Sequence, residues 1–355
     1  MKKAIMMVCG LAVAIAAGAQ QQPVKLPIDS AVRVGKLENG LTYYIRHNEL
    51  PKERAEFHIA QAVGATLEED NQNGLAHFLE HMCFNGTEHF PGKGIINYFE
   101  GIGVNFGGNI NAYTSLDQTV YRLSEVPTYR EGIIDSALLV MHDGSCAVSL
   151  LEEEIDAERG VIREEWRTGR TAARRMWKEQ NRLMYPGSQY AKRDVIGDTA
   201  VINNFSYDAL RAYYKKWYGP DLQAIIVVGD VDVDAIEAKI KALWKDVPER
   251  ANRGERPIAE VPDNKEPIVA IVTDAEAQST TIRLYVKHQP LPKMYRGTDQ
   301  AYLLALMHNL IGSMLDERLN ELMLNPESPM AGAGMYYVNM FPATDAFLAA
   351  CNATE

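Results

Sequence analysis

Residues 74–82 read Gly74-Leu75-Ala76-His77-Phe78-Leu79-Glu80-His81-Met82, and the interpretation of the whole chain depends on this stretch. Two histidines four residues apart fall on one face of a helix, because a helical turn takes about 3.6 residues. Apolar side chains surround the polar trio, and Asn73 is the predicted N-cap. The pattern predicts a buried helix in which His77, Glu80 and His81 need polar partners.

The spacing of these three residues indicates a metal site. Neutral imidazole suits zinc, and a catalytic zinc site typically has three protein ligands and one position for water. His77 and His81 would bind the metal, and Glu80 would be the base that acts on the water. His-x-x-Glu-His is the inverzincin signature. The alternative is a chance match, in which two hydrogen-bonded histidines and a surface glutamate share a helix.

A second unusual pattern lies in the predicted helical region from residue 150 to about 185. One helical stripe there combines apolar and acidic residues, namely Leu151, Ile155, Glu158, Ile162 and Glu165. Neither glutamate of the stripe has a basic residue three or four positions away. A carboxylate on an inward stripe is a suitable third metal donor, and Glu158 could orient a ligand. The alternative is that both glutamates pair with arginines of another segment.

Composition excludes several classes of protein. The chain has 355 residues, enough for two domains, and 46% of them are hydrophobic, so it can build ordinary cores. Its net charge of −11, from 47 acidic and 36 basic residues, argues against nucleic acid as a partner. Cys83, Cys146 and Cys351 lie beyond the N-terminal segment. They are odd in number and widely spaced, which does not indicate a disulfide framework.

The N-terminal segment predicts export. Residues 1–22 contain Lys2 and Lys3, then an apolar run, then the small-residue site Ala17-Gly18-Ala19. The run is short for a membrane span, so no stable span is expected after signal cleavage. The predicted location is periplasmic or extracellular, and an uncleaved N-terminal anchor is the alternative.

The rest of the chain predicts an order of elements and domains. Glu38-Asn39-Gly40 indicates a hairpin, and strands and helices follow up to the helix that ends at Trp244. Residues 248–267 are polar and contain four prolines, which indicates a linker. The predicted domains are a signal peptide at 1–22, a catalytic lobe at 23–247, the linker at 248–267 and a partial second lobe at 268–355. Residues 268–273 are predicted to open this second lobe as a strand.

Several ordered segments resemble the pitrilysin, insulysin and mitochondrial processing peptidase family of inverzincins. Besides residues 74–82, the matching segments are Glu38-Asn39-Gly40-Leu41, Phe84-Asn85-Gly86-Thr87, Asn111-Ala112-Tyr113-Thr114, Glu158-Arg159-Gly160-Val161-Ile162-Arg163-Glu164-Glu165, Tyr214-Lys215-Lys216-Trp217-Tyr218 and Val227-Val228-Gly229-Asp230. Such a series is far more specific than the five-residue motif alone. The resemblance implies an α+β fold in which each lobe is an antiparallel sheet packed against helices.

The resemblance also assigns roles to residues of the metal site. It implies that His77 and His81 bind Zn²⁺, that Glu80 is the general base and that Glu165 is the third ligand. It further implies that Glu158 supports the site. Glu164 remains the alternative ligand, because the interval from His81 to Glu165 is a few residues longer than is usual in the family. The helix phase favours Glu165.

The implied substrate is a peptide or an unfolded protein. The strand of Asn111, Ala112, Tyr113 and Thr114 would be an open sheet edge on which an extended peptide pairs. Metal-assisted hydrolysis would follow, in which Glu80 takes a proton from the water and later protonates the leaving amine.

The implied distal half of the family fold is expected to be missing. Family members close two similar halves around the substrate, and an arginine and a tyrosine of the distal half help to bind it. This chain is expected to end within the second lobe of the first half. It would then be a fragment of a longer protease, act with a second half-protease chain, or hydrolyse poorly alone. The alternative function is a non-catalytic or partner-dependent peptide-binding subunit.

Overall fold

The computed structural model describes residues 22–130 and 132–354, which form two compact units. The larger unit contains residues 29–277, and the smaller unit combines residues 22–28 with 278–354. Helices and sheets in both units confirm the predicted mixed α and β class. The predicted signal peptide lies outside the described residues, except for its last position.

The larger unit contains a six-stranded sheet with the order β1-β2-β6-β3-β5-β4. Its strands are β1 (Val32–Lys36), β2 (Thr42–His47), β3 (Arg54–Gln61), β4 (Ile110–Thr114), β5 (Thr119–Pro127) and β6 (Gln223–Gly229). The predicted hairpin around Gly40 joins β1 and β2, and the φ of 102° at Gly40 suits a glycine. Strand β4 is at one edge of the sheet.

One strand pair departs from the antiparallel sheet that the sequence predicts. β2 and β6 are parallel, whereas the other pairs of this sheet are antiparallel. The physical reason is connectivity. A long helical segment separates β5 from β6, so no hairpin fixes the direction in which β6 enters the sheet.

Helices cover the sheet of the larger unit. They are α1 (Leu75–Met82), α2 (Gly94–Glu100), α3 (Ile133–Cys146), α4 (Glu152–Thr168), α5 (Ala172–Met184), α6 (Gln189–Lys192), α7 (Thr199–Asn204), α8 (Tyr207–Trp217) and α9 (Val233–Trp244). The predicted helical region 150–185 is divided into α4 and α5 next to Gly169, whereas Gly160 lies inside α4.

The hydrophobic core lies between the sheet and α1. Phe57 of β3 and Phe78 and Leu79 of α1 are fully buried, as is Trp244 at the end of α9. Strand β3 alternates buried and half-buried residues along its length, as expected for a strand with one face on the core. Burying one such side chain contributes about 1.5–3 kcal/mol. The motif helix is therefore at the centre of the core.

The predicted linker packs against the larger unit. The side chain of Arg250 is 1% exposed and donates to Asp221 at 2.7 Å, and Ser188 Oγ donates to the carbonyl of Glu260 at 2.5 Å. The strand predicted at 268–273 is wrong, because this stretch has no regular structure and Ile271 is 82% exposed. Residues 268–273 belong to neither described sheet, so the stretch has no partner strand to pair with.

The smaller unit has a three-stranded antiparallel sheet and one long helix among its described residues. The strands are β7 (Thr281–His288), β8 (Met330–Phe341) and β9 (Thr344–Ala353), in the order β7-β9-β8, and the helix is α10 (Asp299–Met323). Leu26 donates its amide to the carbonyl of Gly297 at 2.9 Å, so the segment 22–28 belongs to this unit. Across both described ranges, no helix has the length and apolar character to span a bilayer.

Candidate metal centre and sheet edge

The motif helix α1 begins at a glycine and is capped by a distant carboxylate. Asn73 was predicted as the N-cap and this is wrong: Gly74 precedes the helix with a φ of 108°. The Glu68 carboxylate accepts from the amides of Gly74 at 3.0 Å and Ala76 at 2.8 Å. A Cβ at position 74 would lie 2.7 Å from the Cα of Gly197, so only glycine fits.

Glu68 places a buried carboxyl group at the N-terminal, positive end of α1. It is 3% exposed, and burial raises its pKa to about 8 even though two amides and the nearby Arg193 stabilise the ionised form. Arg193 also donates to the Glu68 carbonyl at 2.8 Å. These contacts fix where the motif helix starts and hence the height of its histidines above the sheet.

The two histidines of α1 and one glutamate of α4 converge on a single point. His77 Nε2 lies 3.6 Å from Glu165 Oε1, and His81 Nε2 lies 3.5 Å from Glu165 Oε2. One ligand atom from each of the three residues lies within 4.8 Å of the others. The two rings meet edge to face, with centroids 4.7 Å apart.

These spacings fit a zinc ion. Ligand atoms around a tetrahedral zinc at about 2.0–2.1 Å lie roughly 3.3 Å apart, close to the distances of 3.5 and 3.6 Å found here. Two imidazoles and a carboxylate are also a common ligand set for catalytic zinc. The three residues could therefore hold zinc once their ligand atoms, which lie within 4.8 Å of one another, draw closer together.

Glu158 lies behind one of the histidines. Its Oε1 is 2.7 Å from His81 Nδ1, and its other oxygen accepts from the amide of Asn85. Lys93 in turn donates to Asn85 Oδ1 at 3.1 Å. A carboxylate on Nδ1 holds the proton there, so Nε2 is the nitrogen that can give up its proton and serve as the electron-pair donor when a metal binds.

The electrostatics of the two histidines differ. Burial lowers the pKa of His77 to about 4, so this ring is neutral, and its Nδ1 has no hydrogen-bond partner among the described residues. Burial also acts to lower the pKa of His81, but hydrogen bonds with Glu158 and Glu165 outweigh it and raise this pKa to about 9. The hydrogen bond with His81 lowers the pKa of Glu165. Glu158 and Glu165 therefore favour positive charge at the His81 side of the centre.

The two acidic candidates on α4 point in different directions. Glu164 binds Arg167 through both carboxylate oxygens, at 2.6 and 2.9 Å, whereas Glu165 faces the histidines. The prediction that Glu158 and Glu165 both lie on a buried face is wrong for Glu165. Glu158 is 6% exposed, but the Glu165 side chain is 48% exposed. Near its C-terminal end α4 extends past the core, so the stripe that is buried at Ile162 reaches solvent one turn later.

Glu80 is buried beside the same centre and contacts the sheet edge. It is 8% exposed, and burial raises its pKa, although hydrogen bonding by Thr114 acts in the opposite direction. Thr114 Oγ1 donates to Glu80 Oε2 at 2.5 Å. Sequence reasoning missed this bond. Period-2 alternation, which places Thr114 on the same face of β4 as buried Ile110, was the available signal.

The outer edge of β4 is only partly open. Ile110 accepts from the amide of Gly107 at 2.9 Å and donates to the carbonyl of Asn105 at 3.0 Å, so the preceding loop occupies its main-chain groups. Ladder hydrogen bonds alternate along an antiparallel strand, so the main chains of Ala112 and Thr114 also point away from β5. The outward carbonyl of Ala112 is at the centre of this edge.

The side chains of Asn111 and Tyr113 have local partners. Asn111 Nδ2 donates to the carbonyl of Gly107 at 2.9 Å, and its Oδ1 accepts from the amide of Ala112 at 2.8 Å. Tyr113 is 49% exposed, and its hydroxyl accepts from Gln118 at 3.1 Å. Asn111 thus connects the edge strand to the loop that precedes it.

Comparisons with known proteins agree with this geometry. The family profile described as "Insulinase (Peptidase family M16)" matches residues 44–185, and the profile "Peptidase M16 inactive domain" matches residues 204–339. "Probable zinc protease PqqL" of Haemophilus influenzae is 36% identical over 216 residues, which are 61% of this chain and 23% of that protein. The protein of the same name from Escherichia coli is 33% identical over 297 residues, which are 83% of this chain and 31% of that protein.

A solved structure shares most of the fold. It is the first half of the periplasmic protease PqqL from Escherichia coli, with 30% identity and a TM-score of 0.81 over 94% of this chain and 70% of that chain. The chain spans about a third or less of the length of the curated relatives named above.

Proposed function

We propose that this chain, which belongs to peptidase family M16, binds zinc and hydrolyses peptide bonds in extended peptides. The observation that carries the proposal is the convergence of His77, His81 and Glu165, whose ligand atoms lie within 4.8 Å of one another. The relatives' description as zinc proteases supports zinc as the metal. In this proposal the three residues hold the ion, and Glu80 is the catalytic base.

The reaction depends on proton transfer by Glu80. A zinc ion in the centre would lower the pKa of water and polarise the substrate carbonyl. Glu80 takes the proton of the attacking water and later donates it to the leaving amine nitrogen. Burial raises the pKa of Glu80, which suits a group that must hold a proton between these two steps. Glu158 keeps the His81 ring oriented throughout.

The substrate pairs with the edge strand β4 in this proposal. The carbonyl of Ala112 is the central main-chain partner for an extended peptide, with Asn111, Tyr113 and Thr114 beside it. Main-chain pairing depends little on side-chain identity, so an unfolded protein or a flexible peptide is the proposed substrate class. A second half-protease chain is a proposed partner, supported by the similarity to the first half of a longer protease.

The test of the catalytic proposal is removal of the base without removal of the metal. Glu80→Gln should bind zinc as the wild type does and should lose roughly 10²–10⁴-fold in hydrolysis of an unstructured peptide. The matched control is Glu88→Gln, an exposed acid eight residues later, which should retain full activity. A chelator should abolish wild-type hydrolysis, and added zinc should restore it. Full activity of Glu80→Gln would contradict the proposal.

The same assay separates an enzyme from a binding subunit. A non-catalytic subunit would bind zinc and peptide but would leave the peptide intact, both alone and mixed with a candidate distal-half chain. Peptide binding measured beside hydrolysis therefore decides between the two functions.

We also propose export from the cytoplasm. The lysine-led apolar N-terminal segment supports it, as does the description of the Escherichia coli relative as periplasmic. Cell fractionation should place the chain outside the cytoplasm, with its first residue after the predicted cleavage site. Recovery of the uncleaved chain in the cytoplasm would overturn this part.

A further inference from the structure

A chain of hydroxyl groups runs from Glu80 into the core. Thr114 Oγ1 lies 2.5 Å from Glu80 Oε2 and 3.3 Å from Thr119 Oγ1. Thr119 Oγ1 in turn donates to the carbonyl of Val63 at 3.0 Å. Glu80 and Thr119 are 8% and 0% exposed, so both are largely shielded from water. Glu80 is thus linked through two hydroxyl groups, those of Thr114 and Thr119, to a main-chain carbonyl of the core.

The order of donors along this chain follows from its last bond. A carbonyl only accepts, so the Thr119 hydrogen is committed to Val63 and the Thr119 oxygen is left as an acceptor. The Thr114 hydrogen then has two acceptors to choose from, Glu80 Oε2 and Thr119 Oγ1. With Glu80 ionised, the shorter and charge-assisted bond to Glu80 is the stronger one.

We propose that Thr114 is a positioning residue whose hydroxyl supports Glu80 in both of its protonation states. The inference rests on the proposed function of Glu80 as the base. When Glu80 has taken the proton of the attacking water, its O–H donates to Thr114 Oγ1. The Thr114 hydrogen then turns to Thr119. When Glu80 gives the proton to the leaving amine nitrogen, the Thr114 hydrogen turns back, so Thr114 gains and loses no proton overall.

Thr114 contacts Glu80 through its amide as well as its hydroxyl, and of these two donors only the hydroxyl can support both protonation states. Fixed N–H donors stabilise only the ionised carboxylate and would oppose its protonation. Because Thr114 also belongs to β4, the same residue aligns the base with the edge on which the substrate is proposed to pair. Thr114 therefore both supports the Glu80 carboxyl group and forms part of the edge strand.

The first test is spectroscopic and uses the whole chain without metal. The infrared carboxylate band that disappears in Glu80→Gln identifies Glu80. Thr114→Val, which has the same shape without the hydroxyl, should shift this band, and Thr114→Ser should restore it. The matched control is Ser115→Ala, which removes the neighbouring hydroxyl that bonds only within the hairpin and should leave the band unchanged. An unshifted band in Thr114→Val would overturn the inference.

The second test uses the kinetics of the zinc-loaded chain. Thr114→Val should lower kcat roughly tenfold or more, with KM and zinc affinity nearly unchanged, because the lost bond is to a charged group. Thr114→Ser should recover most of kcat. Thr119→Val should lower kcat less than Thr114→Val, because it removes the acceptor for only one of the two states. An equal loss in Ser115→Ala and Thr114→Val would instead mean that strand placement alone matters.

The two proposals fail in different ways. A fully active Glu80→Gln variant, or a wild-type chain that cleaves no peptide, would overturn the proposed function. The band of Glu80 in Thr114→Val decides the role of Thr114 in either case, because it requires neither turnover nor metal.

Discussion

The two helices that meet at the candidate metal centre are built in opposite ways. In α1 seven of eight residues are buried, and the helix lies in the middle of the core. In α4 only Ile155, Glu158 and Ile162 are buried out of 17 residues. The histidines are therefore held by a helix that is almost wholly packed in the core, whereas Glu165 is held by a helix that is mostly in contact with water. The candidate metal centre thus joins the closely packed helix α1 to the weakly packed helix α4.

The largest expected effect comes from the packing of α1. Phe78→Ala should lower the free energy of unfolding by about 3–5 kcal/mol, because Phe78 is fully buried and packs edge to face on Phe205. The control on α4 is Val161→Ala at a half-exposed position, which should cost no more than about 0.5 kcal/mol. Chemical denaturation measures the free energy of unfolding of both variants. Similar losses in the two would mean that α1 and α4 do not differ in packing.

The next effect is on metal affinity and separates the neighbouring acids of α4. Glu165→Gln should weaken zinc binding roughly a hundredfold or more, because loss of an outer partner alone costs about 10–100-fold. Glu164→Gln, the matched control, removes only an exposed pair with Arg167 and should bind zinc normally. Competition with a chelating dye gives both constants. Weaker binding in Glu164→Gln alone would assign the third ligand to Glu164.

A smaller loss of affinity is expected at Glu158. Glu158→Gln should weaken zinc binding about 10–100-fold, because the amide no longer holds the proton on His81 Nδ1 as a carboxylate does. Glu153→Gln, an exposed acid in the first turn of the same helix, is the control. If both variants bound zinc like the wild type, Glu158 would have no part in orienting the ligand.

The smallest effect concerns the N-termini of the two helices. Glu68→Ala should cost about 1–2 kcal/mol, because it leaves two buried amides of α1 without their acceptor. Glu152→Ala, which removes an exposed acid from the first turn of α4, should cost about 0.3–1 kcal/mol. Equal losses in the two variants would mean that burial of the cap makes no difference.

The cost of Glu68→Ala should also depend on pH. Burial raises the pKa of Glu68 to about 8 in the folded chain, above its value of about 4.5 in the unfolded chain. The folded state therefore prefers the protonated acid, and its stabilisation is complete below pH 4.5 and is lost as the pH rises towards 8. The difference in unfolding free energy between wild type and Glu68→Ala should shrink across this window. A constant difference from pH 5 to pH 8 would contradict the raised pKa.

Sequence reasoning located the elements that short-range patterns specify. The hairpin at Gly40 and the motif helix both lie where hydrophobic periodicity and turn residues predicted them. His77, His81 and Glu165 are brought together as the helix phase predicted, although the assignment of these residues as ligands remains a prediction. Contacts between residues far apart in the sequence could not be predicted from such short-range patterns. The cap from Glu68 and the bond from Thr114 to Glu80 join residues that no local spacing relates.

Other misses have similar causes. A parallel register between β2 and β6 depends on how a long helical segment returns to the sheet, which composition does not specify. The exposure of Glu165 depends on where the core ends along α4. Hydrophobic periodicity in the sequence does not show where that point is. Residues 268–273 have the composition of a strand, but the fold supplies no partner strand there.

The partly occupied edge of β4 has a consequence for solubility. An open strand with a long row of free amides and carbonyls is a template on which other chains add, and such growth leads to aggregation. Here the loop at Asn105 and Gly107 already pairs with Ile110. The Ala112 amide donates to Asn111 Oδ1 and the Thr114 amide bonds to Glu80, so outward carbonyls such as that of Ala112 remain for pairing. A peptide can still add there as one short strand. A second copy of the sheet would find too few free groups on β4 to continue edge to edge along this strand.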